Sequence, residues 1–194
     1  MKSTTRALKE WNVAVNALES GQTIMLLRKG GIREQAGHFN VPDKQVLLYP
    51  TFEHQQPDLL KPDFAPQVKT VESGWHPQTV RIGSWAQITD ILLVAWEPAI
   101  AAVFPYHIWH EKFVGDRLNW KKSQPIYILL LRTYLLATPL EIPYIAEYGG
   151  CRSWIDLAEA VSLEGSVPVL SETKYIKLSM EIRNAIAHPQ PTAD

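Results

Sequence analysis

The chain has 194 residues, 46% of them hydrophobic and 20% charged. That is enough apolar material to enclose a core in one ordinary domain, and too much for a disordered or low-complexity chain. Nineteen Lys and Arg stand against twenty Asp and Glu, a formal charge of −1, which excludes a polyelectrolyte with a basic surface all round but leaves room for a local basic patch. The single cysteine, Cys151, excludes an internal disulfide and a cysteine-rich zinc site.

Leu8, Trp11, Val15 and Leu18 recur at three- and four-residue steps among polar residues, which predicts an N-terminal helix with Thr4 or Thr5 as N-cap and Gly21 just past its end. Residues 22–28 form a short apolar run bounded by glycines and predict a buried strand; residues 29–40, with Gly30, Gly31 and Gly37 among charges, predict a surface loop. A second strand over 46–49 is halted by Pro50, and 52–60 predicts a short helix followed by a proline-rich connection over 61–77. The β-branched stretch 79–94 predicts one long strand bent near Gly83, or two strands.

Pro98 fits the first turn of a helix over 97–109, and 112–120 continues as a second helix or turn. Residues 126–136 predict a central strand and 153–161 a helix. A last helix starts at Ser171, presents Tyr175, Leu178, Ile182 and Ile186 on one face, and ends before Pro189. Strands and helices do not alternate, so the expected fold is α+β: a mixed, mainly antiparallel sheet with an N-terminal helix and several packed helices, in a single domain over 1–194. The opening residues lack the apolar stretch of a secretory leader, and charges or proline interrupt both long greasy runs, so the expectation is a cytoplasmic protein without a membrane span.

Three polar clusters are candidates for chemistry. Arg28, Lys29, Gly30, Gly31 and Arg33 follow the first strand, where glycine backbone and positive charge suit an anion; a glycine turn with solvated charges is the plainer reading. Thr51, Glu53, His54 and Gln55 follow the second strand, as an acid/base pair or a set that reads a base edge or phosphate; equally, Thr51 caps a helix. His107, Trp109 and His110 lead into Arg117, Trp120, Lys121 and Lys122, basic residues interleaved with stacking plates. Two histidines complete no metal site, His-Glu-x-x-His is absent, and neither a metal nor a cofactor is implied. Arg132, inside an apolar strand, must either reach the solvent face or pair with a carboxylate such as Glu34, Glu53 or Asp90. Cys151 precedes the helix expected over 153–161 and is either a nucleophile or a packed turn residue.

The segments at 7–11 (ALKEW), 26–32 (LLRKGGI), 48–55 (LYPTFEHQ), 105–109 (PYHIW), 130–132 (LLR) and 150–154 (GCRSW) together resemble a bacterial family known as domain of unknown function 1802. The resemblance spans about 7–161, with a C-terminal helical extension over about 163–188 beyond it. It implies no activity, but the family's association with Mrr-type restriction endonuclease domains implies a link to restriction of foreign DNA. It gives added weight to Arg28, Lys29, Glu34, Thr51, Glu53, His54, Gln55, His107, Arg117 and Arg132, and to Trp109 and Trp154. The helix ending in ALESG and the strand after it also resemble the opening of the PUA-like group of partly closed barrels, which includes RNA binders and modified-base readers.

The first expectation is therefore a nucleic-acid-binding or modified-base-reading module linked to restriction, partnered with DNA or RNA. The second is a metal-assisted phosphodiesterase or other hydrolase on Glu53, His54 and His107, with Arg132 or Lys29 steadying the anion. Against the second, the chain lacks the Pro-Asp with a downstream (Asp/Glu)-x-Lys of Mrr-like nucleases. The third is a protein-interaction subunit.

Overall fold

The computed structural model describes residues 2–29, 44–94, 96–119, 125–150 and 152–189, and the backbone of 34–35 and 38–39. In chain order the elements are β1 (Ser3–Trp11), α1 (Asn12–Glu19), β2 (Met25–Arg28), a two-stranded hairpin of β3 (Glu34–Gln35) and β4 (His38–Phe39), and β5 (Gln45–Thr51). Then come β6 (Thr79–Val94), α2 (Glu97–Ala102), α3 (Glu111–Asn119), β7 (Ile126–Pro143), β8 (Trp154–Ser162), β9 (Val167–Pro168) and α4 (Glu172–Ala187).

One seven-stranded sheet has the order β2-β7-β6-β5-β1-β8, with β9 added against β7. All its pairs are antiparallel except β1 with β5, which run parallel from Ala7↔Leu47 to Trp11↔Thr51. The α+β class with a mixed, mainly antiparallel sheet is as the sequence predicts. β6 and β7 form its spine, paired from Thr79↔Pro143 to Val94↔Ile126, and the ladder shifts register between Ile82 and Ser84 and again between Ile88 and Asp90. The expected bend at Gly83 is the first of these bulges, which increase the local twist of the sheet.

Apolar residues of adjacent positions fall into two separate cores. Leu8, Leu48, Ala86 and Ile88 join the cluster that includes α1, β2 and Tyr175 and Ile182 of α4; Ala7, Leu47, Tyr49, Val80, Ile82 and Trp85 join the other with Ile155 and Leu157. Successive side chains of a strand point to opposite faces, so the middle of the sheet is covered on both sides. That is why β5 and the first half of β7 read as unbroken apolar runs rather than as alternation.

Two predicted helices are strands. The first half of the expected N-terminal helix is β1, because Ala7 and Leu8 are both fully buried, one in each core, between β5 and β8. The helical stripe holds only from α1 onward, where Val13, Ala14, Val15, Ala17 and Leu18 are buried. The stretch expected as a helix over 153–161 is β8: Ile155 and Leu157 bury themselves at a period of two against β1, and this overrides the helix propensity of its alanines and glutamates. Gly21 ends α1 as predicted. It sits at φ 70°, the Gln22 N–H donates to the Ala17 carbonyl at 2.9 Å and the Gly21 N–H to that of Leu18 at 3.2 Å, a Schellman motif.

Pro50 does not stop β5. β6 has already parted from β5 beyond Leu47, so one side of the proline backbone has no ladder to break. The helix expected over 52–60 is reduced to a 3-10 turn at Pro57–Leu59, and the one expected over 97–109 stops at Ala102, with a separate 3-10 turn at Phe104–Tyr106 around Pro105. No helix among the described residues is long and apolar enough to cross a membrane.

α4 starts where the sequence predicts, with Ser171 as its N-cap, the hydroxyl accepting from the Lys174 N–H. It docks through Tyr175, Ser179 and Ile182, and through Arg183, which donates from Nε and Nη2 to the two carboxylate oxygens of Asp90 at 3.0 and 2.8 Å. Burial alone would raise the Asp90 carboxyl, but hydrogen bonds from Arg183 and Thr89, with the Arg183 charge, outweigh it and hold the carboxyl below its usual range. Arg183→Met is therefore expected to destabilise the fold by about 1 kcal/mol, a bidentate pair discounted for its partial exposure. A carboxyl depressed in the folded state stabilises above its unfolded value of 3.8. The gap between wild type and variant in urea melts should thus persist at neutral pH and close as the pH falls below that value.

Candidate functional site

β2 and β1 never pair, yet the twist of the sheet brings the end of β2 against the end of β1. Arg28, the last residue of β2, spans the gap: its Nη2 donates to the Lys9 carbonyl at 2.7 Å and lies 3.0 Å from Glu10 Oε2, and its Nη1 reaches Ser153 Oγ at 3.4 Å. Both members of the ion pair are largely buried. Glu10 keeps its other oxygen on the Trp11 N–H at 2.9 Å, so the desolvated carboxylate is satisfied on both sides.

Around this pair opens a cleft of about 820 Å³. Lys29 comes from just past β2, with Nζ donating to the Leu118 carbonyl in the last turn of α3 at 3.0 Å, where the negative end of the helix suits a cation. Burial first, and the neighbouring Arg117 second, push its ammonium pKa below the ordinary value. Arg117 comes from α3 and packs over the Phe113 ring, its charge disfavoured by burial and by Arg28 but favoured by Glu10. Lys9 extends from β1, with Nζ on the carbonyls of Tyr148 at 2.6 Å and Gly150 at 2.9 Å. Arg152 is exposed at the margin.

The opposite wall begins where β5 runs out. Thr51 donates its hydroxyl to the Glu10 carbonyl at 3.0 Å rather than capping a helix. His54 turns the chain at φ 61°, uncommon for a side-chain-bearing residue, and Glu53 accepts from the Gly74 N–H at 2.6 Å, which ties the 73–74 turn to the rim. Five cationic side chains (Lys9, Arg28, Lys29, Arg117, Arg152) thus face two carboxylates (Glu10, Glu53) across one cavity, in a chain whose overall charge is −1.

A smaller recess of about 40 Å³ opens off the cleft and shares Lys9, Thr51, Glu53 and Tyr144 with it. Its walls are aromatic: His76 stacks on Tyr144 at 3.7 Å, and Trp75 stands edge-on to Phe52 at 6.0 Å. The Tyr49 hydroxyl in its wall is buried and has no hydrogen-bond partner among the described residues; burial, then Tyr144 and Tyr148, push its pKa above the ordinary phenol range.

Of the residues singled out from sequence, Arg28, Lys29, Thr51, Glu53, His54 and Arg117 line the cleft. Four do not. Gln55 is a structural clamp: its Oε1 accepts from Val13 N–H in the first turn of α1, where Trp11 offers no side-chain cap, and its Nε2 donates to the Phe52 carbonyl. Trp109 is 2% exposed and packs edge-on to Trp11 and stacked on Phe113 at 4.1 Å. His107, 3% exposed, accepts at Nδ1 from the Trp109 N–H and packs on Phe104. Because the helix breaks at Ala102, it shares no face with His110, which is exposed.

Among the described residues Arg132 pairs with neither Glu53 nor Asp90; it sits 3.7 Å from Glu172 at the start of α4, against the rings of Tyr134 and Tyr175. The hydrolase set of Glu53, His54 and His107 is therefore not assembled, and among the described residues no three His, Cys, Asp or Glu are grouped to hold a metal. The Glu34 side chain, Gly30, Gly31, Arg33, Trp120, Lys121, Lys122 and Cys151 lie outside the described residues. Lys9, Glu10, Tyr144 and Arg152 line the cleft without having been singled out. Lys9 and Glu10 lay in a motif segment, but the helix reading of β1 placed them on a solvent face.

The family described as "Domain of unknown function (DUF1802)" matches residues 7–181, past residue 161 and well into α4. No curated protein matches the chain. Among solved structures, the ASCH protein of Zymomonas mobilis is similar at low identity. Its serine-to-alanine mutant is 12% identical over 90% of this chain and 94% of that one, with a TM-score of 0.45. A tyrosine-to-phenylalanine mutant is 12% identical over 90% and 96%, at 0.43, and the unmutated protein is 11% identical over 90% and 92%, at 0.44.

The core position of His107 has a measurable consequence. Burial, then the charge of Lys61, lower its imidazole pKa from 6.5 to about 3. The unfolded chain binds a proton near 6.5 that the folded chain refuses, so stability is full above that pH and falls as the pH drops toward 3. The loss is on the order of 4 kcal/mol. Urea melts at stepped pH should show this decline, and His107→Gln should flatten it across the same window. A wild-type profile that is level there would contradict the assignment.

Proposed function

The chain belongs to the DUF1802 family, and from that premise we propose that its cleft binds single-stranded nucleic acid, DNA or RNA, in the cytoplasm. The observation that carries this reading is the gathering of Arg28, Lys29 and Arg117 from two separate elements around one cavity, with Glu10 alone among the described residues between them to offset their charge. Phosphate backbones supply the anions that such a cluster takes, and Lys9 and Arg152 extend the positive track along the cavity.

The aromatic recess beside the track supports a single strand rather than a duplex. Unstacked bases find stacking plates in Tyr144, His76, Trp75 and Phe52, next to the positions a backbone would follow. Glu53 on the shared edge adds a hydrogen-bond acceptor for a base edge. The finer role of reading a modified base within restriction of foreign DNA belongs to the same proposal, with an extruded base at the mouth of the recess.

Fluorescence anisotropy with labelled single-stranded DNA and RNA oligonucleotides tests the reading. Binding is expected at low salt, with log affinity falling linearly against log salt and each phosphate contact contributing roughly −0.7 to the slope. Arg117→Gln and Arg152→Ala should each weaken binding and reduce the slope by about that one contact. No detectable binding of any oligonucleotide at low salt removes the proposal.

A further inference from the structure

Resting on the nucleic-acid reading, we propose that Arg28, Lys29 and Arg117 at the floor of the cleft form a pocket for a phosphate monoester, so that the protein takes hold of a strand by its phosphorylated end rather than by its interior. Arg28 is paired with Glu10 at 3.0 Å, and the same carboxylate also favours the Arg117 charge, so among the described residues the three floor cations share one carboxylate. The floor therefore carries a net excess of two positive charges. A terminal phosphate near neutral pH carries about −1.5 to −2, and an internal diester carries only one charge.

Lys29 is 4% exposed, and of the three protons on its ammonium one goes to the Leu118 carbonyl. A cation so far out of water is unfavourable without an anion beside it. Arg28 is held in place by Lys9, Glu10 and Ser153, and its Nε is buried with no hydrogen-bond partner among the described residues. The floor thus offers donors already desolvated and fixed in position, the condition under which a charged acceptor gains most. Burial and the nearby Arg117 depress the Lys29 pKa, and a bound dianion acts in the opposite direction.

An internal diester arrives with a sugar esterified on each side, and both must pass along the floor. A monoester presents three terminal oxygens on the tip of the chain and needs room on one side only. The cationic group at the open margin, Arg152, is exposed, whereas Lys29 is covered. A strand end can reach the covered cation while the rest of the strand lies over the margin and the aromatic recess.

The test compares the full chain binding one oligonucleotide sequence with a 5′-phosphate, with a 3′-phosphate, and with hydroxyls at both ends, at one salt concentration. One of the phosphorylated strands is expected to bind at least ~10-fold more tightly than the hydroxyl-ended strand. Lys29→Met, which keeps the length and packing of the side chain, should abolish that preference and leave weaker binding of all three. If Lys29→Met fails to fold, the half-buried Arg117→Gln should show the same loss, whereas Arg152→Ala should weaken the three strands equally. Equal affinity of the wild type for all three strands overturns the end pocket and leaves the nucleic-acid reading standing; no binding of any strand overturns both. A nucleoside monophosphate that displaces the phosphorylated strand at equal concentration would move the monoester to a free nucleotide and overturn the strand-end assignment. Displacement only at large excess supports it.

Discussion

The Arg28–Glu10 pair governs this molecule because it stands where the sheet does not close. β2 and β8 are the two ends of the strand order, and no backbone ladder joins β2 to β1. A guanidinium side chain bridges the gap instead, bonded to a backbone carbonyl of β1, a carboxylate of β1 and the hydroxyl of Ser153. Removing one partner of such a buried pair typically costs about 3–5 kcal/mol, because the other charge is stranded out of water. The same gap, left open by the missing ladder, is the cleft. The group that completes the architecture is also the one that carries positive charge into the cavity, so fold and candidate site cannot be separated at this residue.

The cavity lies at one end of the sheet for reasons set by the strands themselves. The interior of β5 and the first six residues of β7 are apolar on both faces and offer no polar wall. The polar groups of the cleft come from where strands end: Arg28 and Lys29 past β2, Thr51 to His54 past β5, Glu10 at the end of β1 and Arg152 and Ser153 just before β8. β1 and β5 run parallel, so both end at the same edge, with Trp11 opposite Thr51. An antiparallel pairing there would have put those ends at opposite edges and dispersed the cluster. The one parallel pair in the sheet is thus what brings the two motif segments together.

Much of this was legible in the sequence, and the failures share a cause. The strand end at Arg28 was readable because charged residues follow directly on a short apolar run, whereas the second strand runs on to Thr51, through the stop expected at Pro50. The bend at Gly83 and the start of the last helix near Ser171 were readable from local rules alone. β1 and β8 were misread because their apolar residues answer to partners far along the chain: Ala7 and Leu8 face opposite cores, and Ile155 packs against β1 across nearly the whole sequence. Gln55, His107 and Arg132 looked like site residues because a polar side chain amid apolar neighbours signals either function or a long-range partner, and sequence does not distinguish the two. The partners the structure gives them, the Val13 amide, the Trp109 amide and Glu172, lie away from the cleft.

The clamp between Gln55 and the first turn of α1 has a mechanical consequence. The segment that carries Thr51, Glu53 and His54 is bolted to the helix that immediately follows Glu10 and Trp11, and Thr51 is bonded to the Glu10 carbonyl as well. That wall and the bed beneath it form one rigid jaw. The 73–74 turn, by contrast, is fastened to it through the Glu53 bond to Gly74. Whatever enters the cavity therefore meets, on this side, a braced wall whose 73–74 lip is held by Glu53.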